Sequence, residues 1–320
     1  MKKLGEFGLI DRFLSKLPSQ KAPGILIGPG DDAAVIREKR DLIFTTDMLA
    51  EGIHFRREWM TLEEIGRKAI RVNVSDIAAM GGIPRYALIS VGLPKSLSLK
   101  EIDKLLVGLA HGVREAGVTV LGGDTNSASS LVINITLIGV SSGRVLTRGG
   151  AKVGDFLYTT GSLGNSALGL EALRRGKKKG FELFIQSHRL PPDRIRVGHY
   201  LAKNRNVHAA IDLSDGLAGD LSHILQESSV GAEIFVDRLP AAKDFRKKAA
   251  ELKIDPLRLQ LSGGEDYELL FTARGAIPQN IAGVPISKIG KILPHKMGLR
   301  WIGSKGSRVR IPFQKGFEHF

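Results

Sequence analysis

An apolar run of strand length that breaks into glycine or a hydroxyl residue, and then into a carboxylate, recurs along this chain and limits the folds open to it. The clearest instance is Val118-Thr-Val-Leu-Gly-Gly-Asp-Thr125. Its first four residues, two of them β-branched valines, suit a strand enclosed on both faces. Gly122 and Gly123 let the backbone leave that strand sharply and come close to a ligand. Asp124 is then expected at the strand's end, where loops carry chemistry on a rigid scaffold. A glycine pair before an aspartate is by itself also the makeup of a plain turn. Repetition along the chain is what gives this one weight.

Read in order, Ile10 to Leu17 forms a short amphipathic helix stopped by Pro18. Gly24 to Val35 holds a brief strand, a Gly/Pro turn and the acids Asp31 and Asp32. Gly28-Pro-Gly-Asp-Asp-Ala33 superficially matches a dinucleotide fingerprint, but two carboxylates facing a pyrophosphate without a metal would repel it. Asp41 to Asp47 is a second strand ending in Thr45, Thr46 and Asp47, followed by a loop over Glu51 to Phe55. Thr61 and Glu64 form a capping box that opens a helix to about Met80. Its Asn73 and Asp76 share one face, either as partners for something or as an ordinary polar pair. Gly81-Gly-Ile-Pro84 ends that helix, and Tyr86 to Leu93 is a strand. A second capping box at Ser98 and Glu101 opens a helix to Ala116 with Gly117 as its cap, and Leu131 to Val140 is a long strand. The order β-β-α-β-α-β-β is an α+β pattern.

Thr147 to Asp155, rich in glycine and charge, is the candidate boundary, which sets domains at residues 1–148 and 149–320. Beyond it come a strand at Phe156 to Thr160, a helix at Leu163 to Arg175, and another helix after Pro191-Pro192. Ala209 to Leu217 reads as a strand that ends in Asp212 and Asp215 with a helix after it. Leu261 to Phe271 combines two glycines, acids and a strand.

A chain of 320 residues suits two domains, and 42% apolar with 25% charged residues is a globular composition. No apolar run approaches the roughly 18 residues that span a membrane. The start has two lysines but no apolar core after them, so no signal peptide is expected and cytoplasmic location is the default. With no cysteine there is no disulfide, thiolate metal site or cysteine nucleophile. The net charge of +14 raises the alternative of a nucleic-acid binder. The basic clusters Arg174-Arg175, Lys177 to Lys179 and Arg246 to Lys248 have no aromatics interleaved with them, however, which disfavours single-strand binding.

The acids carry the chemistry. Two bare carboxylates about 4 Å apart repel by about 4 kcal/mol at an effective dielectric of ~20. If several converge, either protons are retained or cations sit between them. Oxygen donors without cysteine or paired histidines point to Mg²⁺, which commonly also holds substrate phosphates and so suggests phosphoryl transfer. No Walker loop, protein-kinase motif set or G-x-S-x-G elbow is present.

At this point the residues carry a family resemblance. Gly30-Asp31-Asp32-Ala33, Asp47 with His54-Phe55, Asn73-x-Ser75-Asp76, Gly122-Gly123-Asp124-Thr125, Asp212-x-Ser214-Asp215-Gly216, Gly263-Gly264-Glu265-Asp266-Tyr267 and Gly316-Phe317-x-His319-Phe320 follow in the order of the thiamine-monophosphate kinase family. The chain resembles that family over nearly its whole length. The wider superfamily includes aminoimidazole ribonucleotide and selenophosphate synthetases, and the lack of cysteine disfavours the latter branch.

The resemblance implies an N-terminal α+β domain whose sheet pairs across a homodimer and a C-terminal α/β domain with a mixed sheet flanked by helices. It also implies ATP- and Mg²⁺-dependent conversion of thiamine monophosphate to thiamine diphosphate, with several Mg²⁺ ions. By motif, Asp32, Thr45, Thr46, Asp47, Asp76, Asp124, Asp212 and Asp215 would hold metal. Thr45 stands where serine is common in the family, which keeps the hydroxyl. Gly123, Arg148 and Ser214 would meet ATP, and His54, Glu265 and Phe317 the acceptor. No covalent nucleophile or dedicated base is implied. A superfamily enzyme acting on another phosphorylated acceptor is the other reading left open.

Overall fold

The computed structural model describes residues 5–17, 23–27 and 34–311; Asp31, Asp32, Phe317 and His319 lie outside the described residues. The chain divides into two compact units. One runs to Ile77 and takes in Gly82–Ser141; the other joins Ala78–Gly81 to the chain from Ser142 onward. Residues 142–148, assigned to the first domain by composition, therefore lie with the second unit.

The first unit runs α1 (Gly5–Leu14), β1 (Ile25–Ile27), β2 (Val35–Ile36), β3 (Leu42–Ala50), α2 (Leu62–Ala79), β4 (Gly82–Pro94), α3 (Leu99–Ala116), β5 (Thr119–Ala128) and β6 (Val132–Ser141). Both capping boxes form. Thr61 N–H donates to the Glu64 carboxylate at 2.8 Å and Glu64 N–H returns to the Thr61 hydroxyl at 3.2 Å, and Ser98 and Glu101 repeat the exchange. Gly117 closes α3 in the left-handed region at φ 65°. The helices cross closely because glycines allow it: a Cβ on Gly108 of α3 would stand 2.1 Å from the Glu63 carbonyl oxygen of α2. Ile65, Ile70 and Ile77 of α2 and Leu105 and Leu109 of α3 are almost fully buried, Ile70 against Gly112 of α3 and Ile77 against Gly82 and Gly139 of the sheet.

The sheet has the order β3-β6-β4-β5, with β4 and β5 parallel and the other pairs antiparallel. Two expectations change here. β3 stays paired with β6 as far as Ala50, and β5 stays paired with β4 as far as Ala128. Asp47 and Asp124 thus sit within strands, not at their ends. Ladder hydrogen bonds to a neighbour outweigh the turn propensity of a glycine pair. β4 also begins earlier than expected, at Gly82, because a register shift between Pro84 and Tyr86 accommodates the proline. Gly123 is needed for packing: its Cβ would fall 1.8 Å from the Ile89 carbonyl oxygen of β4. Gly122 meets nothing closer than 3.7 Å.

The second unit continues with β7 (Phe156–Thr160), α4 (Asn165–Arg174), α5 (Glu182–Arg189), α6 (Ile195–Lys203), β8 (Val207–Asp212), α7 (Leu217–Glu227), β9 (Val230–Phe235), α8 (Phe245–Glu251), α9 (Pro256–Ser262), β10 (Leu269–Ala273), β11 (Asn280–Ile281), β12 (Val284–Pro294), β13 (Leu299–Ile302) and β14 (Arg308–Val309). Its sheet runs β14-β13-β9-β12-β7-β10-β8, with β11 on β12, and is mixed because β13 lies parallel to β9. The central strands read as continuous apolar runs because both faces are buried. Leu157, Ile211 and Leu270 enter one core with Leu217 and Leu221 of α7, while Tyr158, Ala210 and Phe271 enter another with Val197 and Leu201 of α6.

The scattered basic clusters are less scattered in space. Arg175 donates to the Leu252 carbonyl just after α8, and Lys248 lies over the Phe181 ring at 4.9 Å, so the clusters after α4 and on α8 share one surface.

Replacing Gly123 by alanine is expected to destabilise the protein by roughly 2 kcal/mol or more, through displacement of β4. Gly122→Ala should stay within about 0.5 kcal/mol. Thermal unfolding of the two variants side by side measures the difference, and equal melting temperatures would contradict the close approach of β5 to β4.

Candidate active site

In the first unit the pleat of β3 sorts its polar residues. Thr45 and Asp47 share the face of the buried Ile43 and Leu49, whereas Phe44, Thr46 and Met48 are exposed on the other. Asp76 reaches Thr45 from the last turn of α2, and the Thr45 hydroxyl donates to its Oδ2. Burial, then the charge of Asp76 and a hydrogen bond with it, push the Asp47 carboxyl up to about 7. Thr45, Asp47 and Asp76 are thus brought together. Thr46 instead accepts a hydrogen bond from Thr136 at 3.2 Å on the opposite face. Asn73, one helical turn from Asp76, is fully buried and donates to the Ala69 carbonyl oxygen at 3.1 Å, so it belongs to the packing of α2.

Asp124 stands apart from that trio. Strand register places it in the row of Ser90, Asn134 and Met48, next to the row that contains Asp47. It is exposed, accepting from Thr125 N–H at 2.9 Å and from the Asn126 amide at 2.6 Å. It also borders a cavity of about 1010 Å³ whose apolar wall includes Leu105 and Leu109 of α3 and Phe13 of α1. His54 closes the turn after β3, its Nδ1 accepting from Ala50 N–H at 3.1 Å. That bond leaves Nε2 as the protonated nitrogen.

In the second unit two motif stretches lie side by side. The chain leaving β8 through Leu213-Ser214-Asp215-Gly216 runs against Gly264-Glu265-Asp266-Tyr267-Glu268 entering β10. Glu265 N–H donates to Ser214 O at 2.7 Å, Tyr267 N–H to Leu213 O at 2.8 Å, and Leu213 N–H to Glu268 O at 2.8 Å. The approach is close enough that a Cβ on Gly264 would stand 2.5 Å from the Ser214 carbonyl oxygen. Glu265 and Tyr267 occupy the left-handed region at φ 65° and 50°, a strained conformation for side chains of their size. Arg148 is exposed in the loop before β7, with its carbonyl oxygen accepting from the Ser228 hydroxyl at 3.1 Å.

Two acids there carry more than their sequence context suggested. Asp220, on the first turn of α7, is 2% exposed and accepts from Asp215 N–H at 3.1 Å. Burial first, then the charges of Asp212 and Asp215, push it up to about 8. Its signal in the sequence was its place in the first turn of the helix that follows Asp212 and Asp215. Asp266, to which the resemblance gave no ligand role, is buried and caps α4 by accepting from Gly164 N–H at 2.6 Å and Ser166 N–H at 3.3 Å. Burial raises it to about 8 against the opposing pull of those two bonds.

These arrangements suit a hard cation only in part. Thr45, Asp47 and Asp76 offer oxygen donors and a carboxylate whose charge is held back by burial and then by a like neighbour, the chemistry a bound cation would relieve. Among the described residues, no group of three or more histidine and acidic side chains forms a complete cation site. No helix among them is long and apolar enough to cross a membrane.

Family models for AIR synthase related protein match the chain twice, the N-terminal domain over residues 30–141 and the C-terminal domain over residues 152–274. An AIR synthase-related protein is therefore the class that this fold and its acid-bearing segments define. Thiamine-monophosphate kinase of Aquifex aeolicus (strain VF5) is 38% identical over 276 residues, covering 85% of this chain and 87% of that protein. Among solved structures, thiamine-monophosphate kinase from Stenotrophomonas maltophilia K279a superposes with a TM-score of 0.81 at 32% identity, covering 96% of this chain and 98% of the other. AaThiL complexed with AMPPCP and TMP superposes with a TM-score of 0.78 at 34% identity, covering 100% and 98%. The chain belongs to the thiamine-monophosphate kinase family.

The raised acids set the sign of a pH effect. An acid whose folded pKa lies above its unfolded value favours the fold while both states are protonated. That advantage is lost as pH rises from about 4, where the unfolded chain ionises, through about 8 for Asp220. Asp220→Asn keeps an oxygen acceptor for Asp215 N–H and removes the charge. In metal-free buffer it should stabilise the protein by roughly 2 kcal/mol at pH 8.5 and far less at pH 4.5. Thermal melts across that range check it; a gain independent of pH would contradict the burial of an ionisable Asp220.

Proposed function

We propose that this protein transfers the γ-phosphoryl group of ATP to thiamine monophosphate, forming thiamine diphosphate and ADP. The observation that carries the reading is the meeting of Asp47 and Asp76 beneath the Thr45 hydroxyl, where burial and the neighbouring charge raise the Asp47 carboxyl to about 7. Membership of the family and the superposition on a relative complexed with AMPPCP and TMP support the choice of both substrates.

In this reading the first unit supplies nucleotide and metal ligands. Asp47 and Asp76 would hold Mg²⁺ with the Thr45 oxygen added; by motif Asp32, Asp124, Asp212 and Asp215 would be further ligands, while the Thr46 side chain lies on the opposite face of the sheet from the trio. Bound Mg²⁺ would supply charge neutralisation for the transferring phosphoryl group. Gly123, Ser214 and Arg148 would face ATP, the arginine as a planar fork on a phosphate. His54, through Nε2, Glu265 and Phe317 would hold the acceptor. An oxygen of the acceptor phosphate attacks the γ-phosphorus in line while the bond to the ADP oxygen breaks. The acceptor is already largely ionised at neutral pH, so no dedicated base and no phosphorylated side chain is required. The exposed Phe44 and Met48 on the open face of the sheet support a homodimer through that face.

Incubation with ATP, Mg²⁺ and thiamine monophosphate is expected to yield thiamine diphosphate, and chelation should abolish the reaction. Asp47→Asn and Asp76→Asn should each lower kcat by about a hundredfold or more while the protein remains folded. Near-normal turnover in either variant would overturn the metal assignment. Sedimentation should report a dimer that Phe44→Glu weakens.

A further inference from the structure

We propose that His188 is a positioning residue for the Glu265 carboxylate, and through it for the cationic or N–H-bearing part of the phosphoryl acceptor. The proposal rests on the reading of Glu265 as an acceptor-binding residue.

His188 lies near the end of α5 and is 3% exposed. Its Nδ1 stands 3.1 Å from Glu265 Oε2 and 3.2 Å from the Ser166 hydroxyl. A carboxylate at that distance calls for a proton on the nitrogen, so Nδ1–H donates to Glu265 and the Ser166 oxygen shares the same hydrogen or turns aside. Glu265 itself remains 24% exposed in its side chain, so the carboxylate that His188 holds is still accessible from solvent.

The anchor is rigid for reasons independent of any ligand. α4 and α5 cross so closely that a Cβ on Gly169 would stand 2.0 Å from the Phe184 carbonyl oxygen. Ser166 is held at the start of α4 by its N–H on the buried Asp266 carboxylate. The backbone of Glu265 is fixed by its own N–H on Ser214 O and by its left-handed φ. Histidine thus holds the far end of a side chain whose base is already pinned. Without it a glutamate must lose its rotamer freedom on binding the acceptor, which weakens binding with little effect on the transfer step.

Steady-state kinetics with thiamine monophosphate and ATP varied separately test this in H188A, H188N, E265Q and the double variant H188A/E265Q. H188A should raise KM for the acceptor about five- to twentyfold, with kcat and the KM for ATP changed less than about twofold. H188N, which keeps an N–H where Nδ1 stood, should recover most of the loss. H188A should cost nothing further in the E265Q background. An unchanged acceptor KM in H188A, an equal rise in the E265Q background, or H188N as impaired as H188A would each overturn the proposal. Should H188A fail to fold, H188N against H188Q carries the comparison, because glutamine places its N–H nearer the position of Nε2; H188N must then bind the acceptor better. Wild-type protein that forms no thiamine diphosphate would overturn the functional reading, and this proposal with it.

Discussion

Repulsion between carboxylates drawn out of water is the constraint on which the rest of this structure depends. Asp47 with Asp76 in one unit, and Asp220 with Asp212 and Asp215 in the other, are acids pushed upward by burial and by like neighbours. Nothing in the stability of a fold favours such an arrangement: each group costs the ionised form hydration and adds a like charge. The surrounding packing has to supply what the acids remove. The closely crossed helices of the first unit and the doubly covered sheet of the second do so with almost fully buried aliphatic side chains. Acids perturbed in this way cluster at functional sites.

The glycines serve that packing as much as any ligand. Gly108 and Gly169 let helices touch, Gly264 lets the Glu265 segment lie on Ser214, and Gly123 lets β5 lie on β4. The glycine-rich motifs are therefore contact points between backbones. The acids beside them are aimed because those backbones meet.

Much of this was legible in the residues. Both capping boxes, the Gly117 cap, the two-unit division and the strands carrying Asp47, Asp124 and Asp212 follow from local pattern, since caps and period-two burial act within a few residues. Other features were not. Asp47 and Asp124 read as strand ends because a hydroxyl or glycine beside an acid resembles a turn, and only the neighbouring strand extends the ladder through them. α5, α8 and α9, each of seven or eight residues, lack a periodic run long enough to stand out. Asp220, Asp266 and His188 gain their meaning from residues distant in sequence.

By itself, then, the sequence determined the class of fold, the family and the inventory of oxygen donors, because residue type and short-range spacing decide those. Tertiary structure decided which donors meet. Thr45 joins Asp47 and Asp76 while Thr46 turns to the other face, and Asp124 stands in another row. Glu265 is tied to a histidine on a different helix. Strand register and helix crossing set those pairings, and both are products of contacts between segments far apart in the chain.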